Sequence, residues 1–148
     1  MRKNILISAA VMLFATLAFS CKEKVQPVSE RIKQIWQPRL VVQGSTTVFS
    51  RGGQNNVEQG YSSYRLNLSS APNVTLTEVD GTSFSGTYVV NDAGTTLTLS
   101  GLNPQPTGTD GTLVYTISSF EGEELKLTLN GNYTKTGGTS NTYTLVSN

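Results

Sequence analysis

The segment from Phe84 to Leu99 has the sequence FSGTYVVNDAGTTLTL, and it decides the fold of this chain. In its first half, apolar and polar residues alternate from Phe84 to Val90. In its second half, Leu97 and Leu99 alternate with Thr96 and Thr98, and Asn-Asp-Ala-Gly separates the two halves. A period of two turns one face of a strand toward a core and the other toward water. The segment therefore predicts an antiparallel hairpin with one buried face.

The same alternation recurs on both sides of this hairpin. The further runs are Leu40–Phe49, Tyr64–Ser69, Val74–Thr77, Leu113–Ser118, Leu125–Asn130 and Thr142–Leu145. Turn pairs such as Asp80-Gly81 and Asp110-Gly111 separate them. Clean alternation disfavours a parallel sheet, whose strands are buried on both faces, and short links favour neighbouring antiparallel strands. We predict an all-β domain of about eight antiparallel strands.

Two segments depart from this pattern. Ser29 to Trp36 is the only helical candidate, with Ser29 as its N-cap and Pro38 stopping it. Asn130-Gly131 is either a tight turn or a bulge, and we favour a bulge in a long strand that runs on to Thr136. The polar, glycine-rich segments 50–60 and 103–111 are predicted to be flexible loops.

The first twenty residues have the pattern of a secretory signal peptide. Arg2 and Lys3 precede the uncharged segment Ile5–Phe19. That segment is shorter than the roughly 20 residues a membrane-spanning helix needs, but it suits the apolar region of a signal peptide. Residues 1–20 are therefore predicted to direct export.

The end of this segment, Leu17-Ala-Phe-Ser-Cys21, resembles the lipobox of bacterial lipoproteins. The resemblance implies that Cys21 is diacylated through its sulfur, becomes the mature N-terminus and anchors the protein to a membrane. Lys22 stands where inner-membrane retention usually involves aspartate, so the resemblance favours a lipid anchor in the outer membrane of the cell envelope. We predict a tether over residues 21–28 and one β domain over residues 29–148.

Composition excludes several classes of function. The 148 residues include 11 Lys+Arg and 10 Asp+Glu, no histidine and one cysteine. Ser-His-Asp catalysis, imidazole metal ligands and an internal disulfide are therefore impossible. The near-neutral charge provides no basic patch for nucleic acid. We predict a protein that is not an enzyme and has no catalytic residues, metal site, cofactor or nucleic-acid partner.

The carboxylates do not change this prediction. Glu121, Glu123 and Glu124 cluster beside a glycine turn, where solvated side chains are the ordinary expectation. Glu78 and Asp80 also suggest metal ligands, but a turn role accounts better for Asp80.

The body of the chain resembles the lipocalin-like domains of small bacterial outer-membrane lipoproteins. The stretches that carry the resemblance are Ile32–Trp36, Tyr61–Leu68, Gly86–Leu99, Tyr115–Ile117, Glu124–Leu127 and Tyr143–Val146. The resemblance implies an eight-stranded up-and-down barrel or a half-open sandwich. It also implies a tryptophan near the entry to the first strand, a position that Trp36 matches.

The aromatic residues of the apolar faces are the candidate ligand-pocket residues. They are Tyr64, Phe84, Tyr88, Tyr115 and Tyr143, together with Trp36, which we expect to close one barrel end. An eight-stranded barrel holds either its own side chains or one small ligand. Both a filled core and an apolar ligand pocket remain open at this point.

Two functions follow. The first is a monomeric, membrane-anchored lipocalin-like protein that binds a small apolar ligand or has a structural role in the envelope. The second is a surface β-sandwich that binds carbohydrate or a partner protein through exposed aromatics, with Trp36, Tyr61 or Tyr133 as candidates. Pairing of the first strand with the last distinguishes the two architectures.

Overall fold

The computed structural model describes residues 25–148 and contains nine strands and very little helix. One helical turn, α1 (Val28–Arg31), precedes the strands. The strands are β1 (Ile35–Gln43), β2 (Thr46–Ser50), β3 (Arg65–Asn67), β4 (Asn73–Thr77), β5 (Ser83–Val90), β6 (Thr96–Asn103), β7 (Leu113–Glu121), β8 (Glu124–Leu129) and β9 (Asn141–Ser147). Two short 3₁₀ turns span Gln59–Ser62 and Thr134–Thr136. The predicted signal peptide and the lipidation at Cys21 lie outside the described residues.

Eight of the strands form a closed antiparallel barrel. From β3 to β9, each strand pairs with the next along the chain, and β3 pairs back to β1. The barrel closes because β1 also pairs with β9, from Trp36 opposite Ser147 to Gln43 opposite Asn141. This up-and-down barrel confirms the predicted fold class. Among residues 25–148, no helix combines the length and apolar character needed to cross a bilayer.

The ninth strand, β2, lies outside the barrel order and shares one edge of β1 with β3. Because β9 covers the opposite edge, β3 pairs with β1 only at Ile35 and Trp36, and β2 pairs with it from Leu40 to Gln43. Between these two pairings β1 passes through Pro38, which has no backbone N–H to donate. Along this edge, β1 therefore pairs with β3 before Pro38 and with β2 after it, and β2 and β3 diverge from each other on either side of Pro38.

Two local predictions at the N-terminal side of the barrel are corrected. The predicted single run Leu40–Phe49 is two strands, joined by a two-residue turn whose first residue, Gly44, has φ +60°. Glycine in that position fits a type II′ hairpin turn. The helix predicted for residues 29–36 stops after one turn. The residues that follow it lead into β1, and Gln34 O accepts a hydrogen bond from Leu68 N at 2.9 Å.

The bulge predicted at Asn130-Gly131 is also wrong. Strand β8 ends at Leu129, and Gly131 adopts φ +83°, a turn conformation that glycine takes without steric cost. The chain then makes a 3₁₀ turn before β9 begins at Asn141. The aromatic ring of Tyr133 is buried by this excursion, which places it over the barrel end.

The alternating residues of every barrel strand meet in one core. Glycine is required at one point of the wall: a Cβ on Gly86 would stand 2.5 Å from Ser100 O, where β5 and β6 shift register. The largest fully buried side chains include Trp36, Tyr61, Tyr64 and Tyr115. The core is therefore unusually rich in aromatic residues that carry a polar group.

Candidate functional site

Trp36 closes one end of the barrel. It is fully buried, and its indole N–H donates to Ile32 O at 2.9 Å, just beyond α1. Its ring meets Phe120 edge to face, with ring centroids 5.5 Å apart. The Arg31 guanidinium lies 4.0 Å from the centroid of the same Phe120 ring. It also donates a hydrogen bond to Gly122 O at 3.2 Å. Trp36 is therefore packed between the N-terminal turn and Phe120.

Three of the predicted pocket residues gather further along the barrel. Tyr64 stacks on Tyr143, with ring centroids 5.4 Å apart and an angle of 18° between the planes. Tyr115 meets Tyr143 edge to face at 6.2 Å, and Tyr61 contacts Tyr64 at 6.0 Å. The rings thus fill the barrel interior with one continuous tyrosine cluster.

The other two predicted pocket residues lie apart from this cluster. Tyr88 donates its hydroxyl to Leu68 O at 2.9 Å. Phe84 packs beneath the Lys135 ammonium, which is 4.8 Å from its ring centroid. All six predicted residues are therefore buried, but the structure brings only Tyr64, Tyr115 and Tyr143 together. Whether they line a ligand pocket stays a prediction.

A buried ion pair closes the end of the barrel near the tyrosines. Glu78 is 4% exposed, and its carboxylate accepts the Tyr133 hydroxyl and lies 2.7 Å from Lys135 Nζ. Lys135 also reaches Asp80 Oδ2 at 2.9 Å. Asp80 Oδ1 accepts from Thr82 N at 3.0 Å, which confirms the turn role predicted for Asp80. Among residues 25–148, no group of three or more potential ligands forms a metal site.

One small cavity lies among the buried tyrosines. The cavity beside Tyr64, Glu78 and Tyr133 measures about 10 Å³. That is about the space of one water molecule, whereas small-molecule sites usually measure roughly 300–1,000 Å³. In this conformation the barrel is filled by its own side chains.

Burial raises the pKa of all six tyrosines above the ordinary value of 10.0. Burial is the largest cause at each, and at Tyr133 the hydrogen bond to Glu78 adds to it. A group whose folded pKa is raised contributes stability that is present below its unfolded pKa and is lost as pH rises beyond it. The unfolded value is about 10, so the loss begins there.

We therefore expect the urea midpoint of unfolding to fall steeply above pH about 10, starting from a plateau at lower pH. Tyr64→Phe removes one of the titrating groups and should make the fall shallower. Its hydroxyl has no hydrogen-bond partner among the described residues, so stability at pH 7 should change little. Urea midpoints between pH 7 and pH 11.5 measure both effects. A midpoint that stays constant through pH 11 would contradict the expectation.

A surface groove lies where β2 and β3 diverge from β1, and we name it the fork groove. It measures about 510 Å³ and its floor contains Gln37, Pro38 and Phe49. The loop after β2 and the segment before β3 supply its walls, with Arg51, Gln54, Asn56, Gln59, Ser62 and Arg65. No Asp or Glu lines it.

Local hydrogen bonds fix the shape of the fork groove. Arg51 donates from Nε and Nη2 to Pro38 O, at 3.2 and 3.0 Å. Arg65 donates from Nη1 to Ser62 O at 2.9 Å and to Tyr64 O at 2.6 Å. Asn56 Oδ1 accepts from Ser50 N at 2.8 Å and holds the loop against β2. The segment 50–60, which was predicted to be a flexible loop, is thus hydrogen-bonded to β1 and to β2.

Sequence reasoning missed the fork groove. About half of its residues lie in the segment 50–60, which has no periodicity, and the rest come from β1, β2, the start of β3 and the turn before it. The groove forms because β1 pairs with β3 before Pro38 and with β2 after it. The one local signal was the pair of arginines, Arg51 and Arg65, at the two ends of an otherwise weakly charged segment.

The residues of the β-sandwich alternative are buried. Trp36 is 0% exposed, Tyr61 1% and Tyr133 4%, so none of them forms an exposed aromatic surface. The pairing of β1 with β9 also gives a barrel in place of two open sheets. The exposed aromatic surface on which that alternative depended is therefore not formed by these residues.

The chain matches no protein-family profile and no curated protein. Among solved structures, it is similar to a lipocalin-like protein from Bacteroides uniformis, with 16% identity, a TM-score of 0.44, and coverage of 78% of this chain and 96% of the other. It is also similar to an uncharacterized protein from Bacteroides eggerthii, with 13% identity, a TM-score of 0.45, and coverage of 78% and 98%. The assignment of the barrel rests on the strand pairing described above.

Proposed function

We propose that this protein is a lipid-anchored, non-enzymatic binding barrel that takes a small molecule in the fork groove. The observation that carries the proposal is the groove itself: about 510 Å³ lined by two arginines and several amides, against about 10 Å³ in the cavity beside the tyrosines. An apolar ligand inside the barrel would have to displace the stacked rings of Tyr64 and Tyr143. We therefore assign the binding role to the groove and a structural role to the tyrosine cluster.

The lining of the groove supports a polar ligand. Apart from Pro38 and the nearly buried Phe49, its side chains are arginines, amides and a serine. Such groups orient a ligand through hydrogen bonds, and the loop that carries them is already held in place, which lowers the cost of ordering it on binding.

Blocking the groove tests the assignment. We expect Gln54→Trp to abolish the co-purification of a small polar molecule with the full-length chain, because the indole would occupy an exposed position of the groove wall. Gln105→Trp is the matched control, since Gln105 is exposed in another loop and does not line the groove. Mass spectrometry of extracted small molecules is the measurement. The assignment fails if no molecule is enriched, or if Gln54→Trp retains it.

The anchor is a separate part of the proposal. Cells that express the full-length chain and grow with labelled palmitate should label the protein, and Cys21→Ala should abolish the label. Because the Cys21→Ala variant has no sulfur to carry acyl chains, it should also leave the membrane fraction. Label that survives Cys21→Ala, or no label on the original chain, would refute anchoring at this residue.

A further inference from the structure

The charge of the fork groove differs from that of the rest of the described chain. Residues 25–148 contain seven basic and nine acidic side chains. Two of the seven, Arg51 and Arg65, line this one groove, and no acidic residue accompanies them. A second surface groove of about 620 Å³ provides the contrast, because it contains Asp110 and neither Arg nor Lys.

The two groove arginines have no partner carboxylate among the described residues. Arg39 pairs with Glu124 at 2.8 Å, and Arg31 lies over the Phe120 ring. Within residues 25–148, Arg51 and Arg65 form no salt bridge. Their positive charges are therefore not neutralised by the folded chain that the structure describes.

Both guanidinium groups are held in place while most of their donors remain available. A guanidinium has five N–H donors. Arg51 directs two nitrogens at Pro38 O, and Arg65 directs one nitrogen at two carbonyl oxygens. Each group therefore keeps donors beyond those that fix it. A positioned guanidinium with free donors matches the geometry of a carboxylate or a phosphate.

We propose that the fork groove recognises the oxyanion of a small hydroxyl-bearing molecule, with Arg51 and Arg65 as its binding residues. This inference rests on the proposed function and names the ligand chemistry for the same groove. The amides of Gln54 and Gln59 lie in the same walls and supply partners for ligand hydroxyl groups. A carboxylate and a phosphate satisfy the arginines through the same chemistry, and the experiment separates them.

Three probes that share one sugar ring provide the test: glucuronate, glucose 6-phosphate and glucose. We expect calorimetry on the full-length chain, purified in detergent, to show that at least one anionic sugar binds at least about tenfold more tightly than glucose. This factor corresponds to the gain from a hydrogen bond to a charged group. Preference for glucuronate assigns the ligand as a carboxylate, and preference for glucose 6-phosphate assigns it as a phosphate.

Variants test whether the preference for an anionic sugar depends on the two arginines. Arg51→Gln and Arg65→Gln should each weaken the preferred anion at least about tenfold, whereas Arg39→Gln, on the barrel wall, should not. The comparison of anion with glucose on the unaltered chain needs no variant, so it remains decisive if a substitution disturbs the loop.

Two results would overturn the inference. If glucose binds as tightly as both anions, the oxyanion preference is wrong, but a molecule lost on Gln54→Trp would still support the groove as a binding site. If no anion binds, the inference is also wrong, and the co-purification experiment then decides separately whether the groove binds anything.

Discussion

Replacing Trp36 by alanine is expected to destabilise the barrel by about 3–5 kcal/mol, the cost of deleting a large buried aromatic side chain. The physical reason is the position of the ring. It is completely buried and contacts Phe120 on β7. Its removal leaves a void at the barrel end, which closed strands on every side cannot collapse to fill.

Trp36→Phe separates the two contributions of this residue. Phenylalanine keeps much of the apolar bulk but loses the indole N–H that donates to Ile32 O. We expect it to cost about 1–3 kcal/mol, chiefly through the smaller ring and the lost indole hydrogen bond, since Ile32 O still accepts from Gln34 N at 2.7 Å. Val89→Ala is the control, because Val89 is 65% exposed and should change stability by less than about 0.5 kcal/mol.

Urea unfolding followed by circular dichroism measures these differences. Equal midpoints for the original chain and Trp36→Ala would show that the barrel end does not depend on this ring. A large loss for Trp36→Ala with no loss for Trp36→Phe would assign the effect to packing alone.

The alternation of apolar residues was sufficient to predict the barrel, because each strand has one wet face and one buried face. From Phe84 to Leu99 the buried residues are the ones that the period of two selects. The same signal does not define strand ends. The run Leu40–Phe49 contains no gap in its β pattern, and only Gly44 in a positive-φ turn shows that it divides.

The corrected elements share one cause, which is contact with distant parts of the chain. The short helix loses its predicted second turn because Gln34 O accepts from Leu68 N and the residues after Gln34 form β1, which pairs with β3. Asn130-Gly131 turns the chain because Tyr133 packs over the barrel end beside Glu78. Local propensity contains neither contact, so these positions could not be derived from nearby residues.

The candidate site was predicted in part. Burial of the aromatic residues follows from their place on the apolar faces, but the amount of space among them depends on ring packing. Tyr64 stacks on Tyr143, which lies on β9, far away in the sequence. This contact fills the space between the two rings. The fork groove was not predictable, because it depends on two strands sharing one edge of β1.

Replacing Lys135 by methionine is expected to cost about 3 kcal/mol, the lower end of the range for breaking a buried ion pair. The methionine keeps the apolar contact with Phe84 but removes the ammonium that lies 2.7 Å from Glu78 Oε2. The Glu78 side chain is 6% exposed and would keep only the Tyr133 hydroxyl as a hydrogen-bond donor. The Lys135 side chain retains 14% exposure, so solvent access moderates the loss.

A double-mutant cycle shows whether the loss of stability in Lys135→Met comes from the unpaired, buried Glu78 carboxylate. Glu78→Gln in the Lys135→Met background removes the uncompensated charge, so the double variant should be less destabilised than the sum of the single variants. Lys126→Met is the matched control, since Lys126 is exposed on β8 and should change stability by less than about 0.5 kcal/mol. Urea midpoints at pH 7 provide all four values. Additive losses in the cycle, or a loss below about 1 kcal/mol for Lys135→Met, would mean that solvent already satisfies Glu78, and that Tyr133 alone holds the barrel end closed.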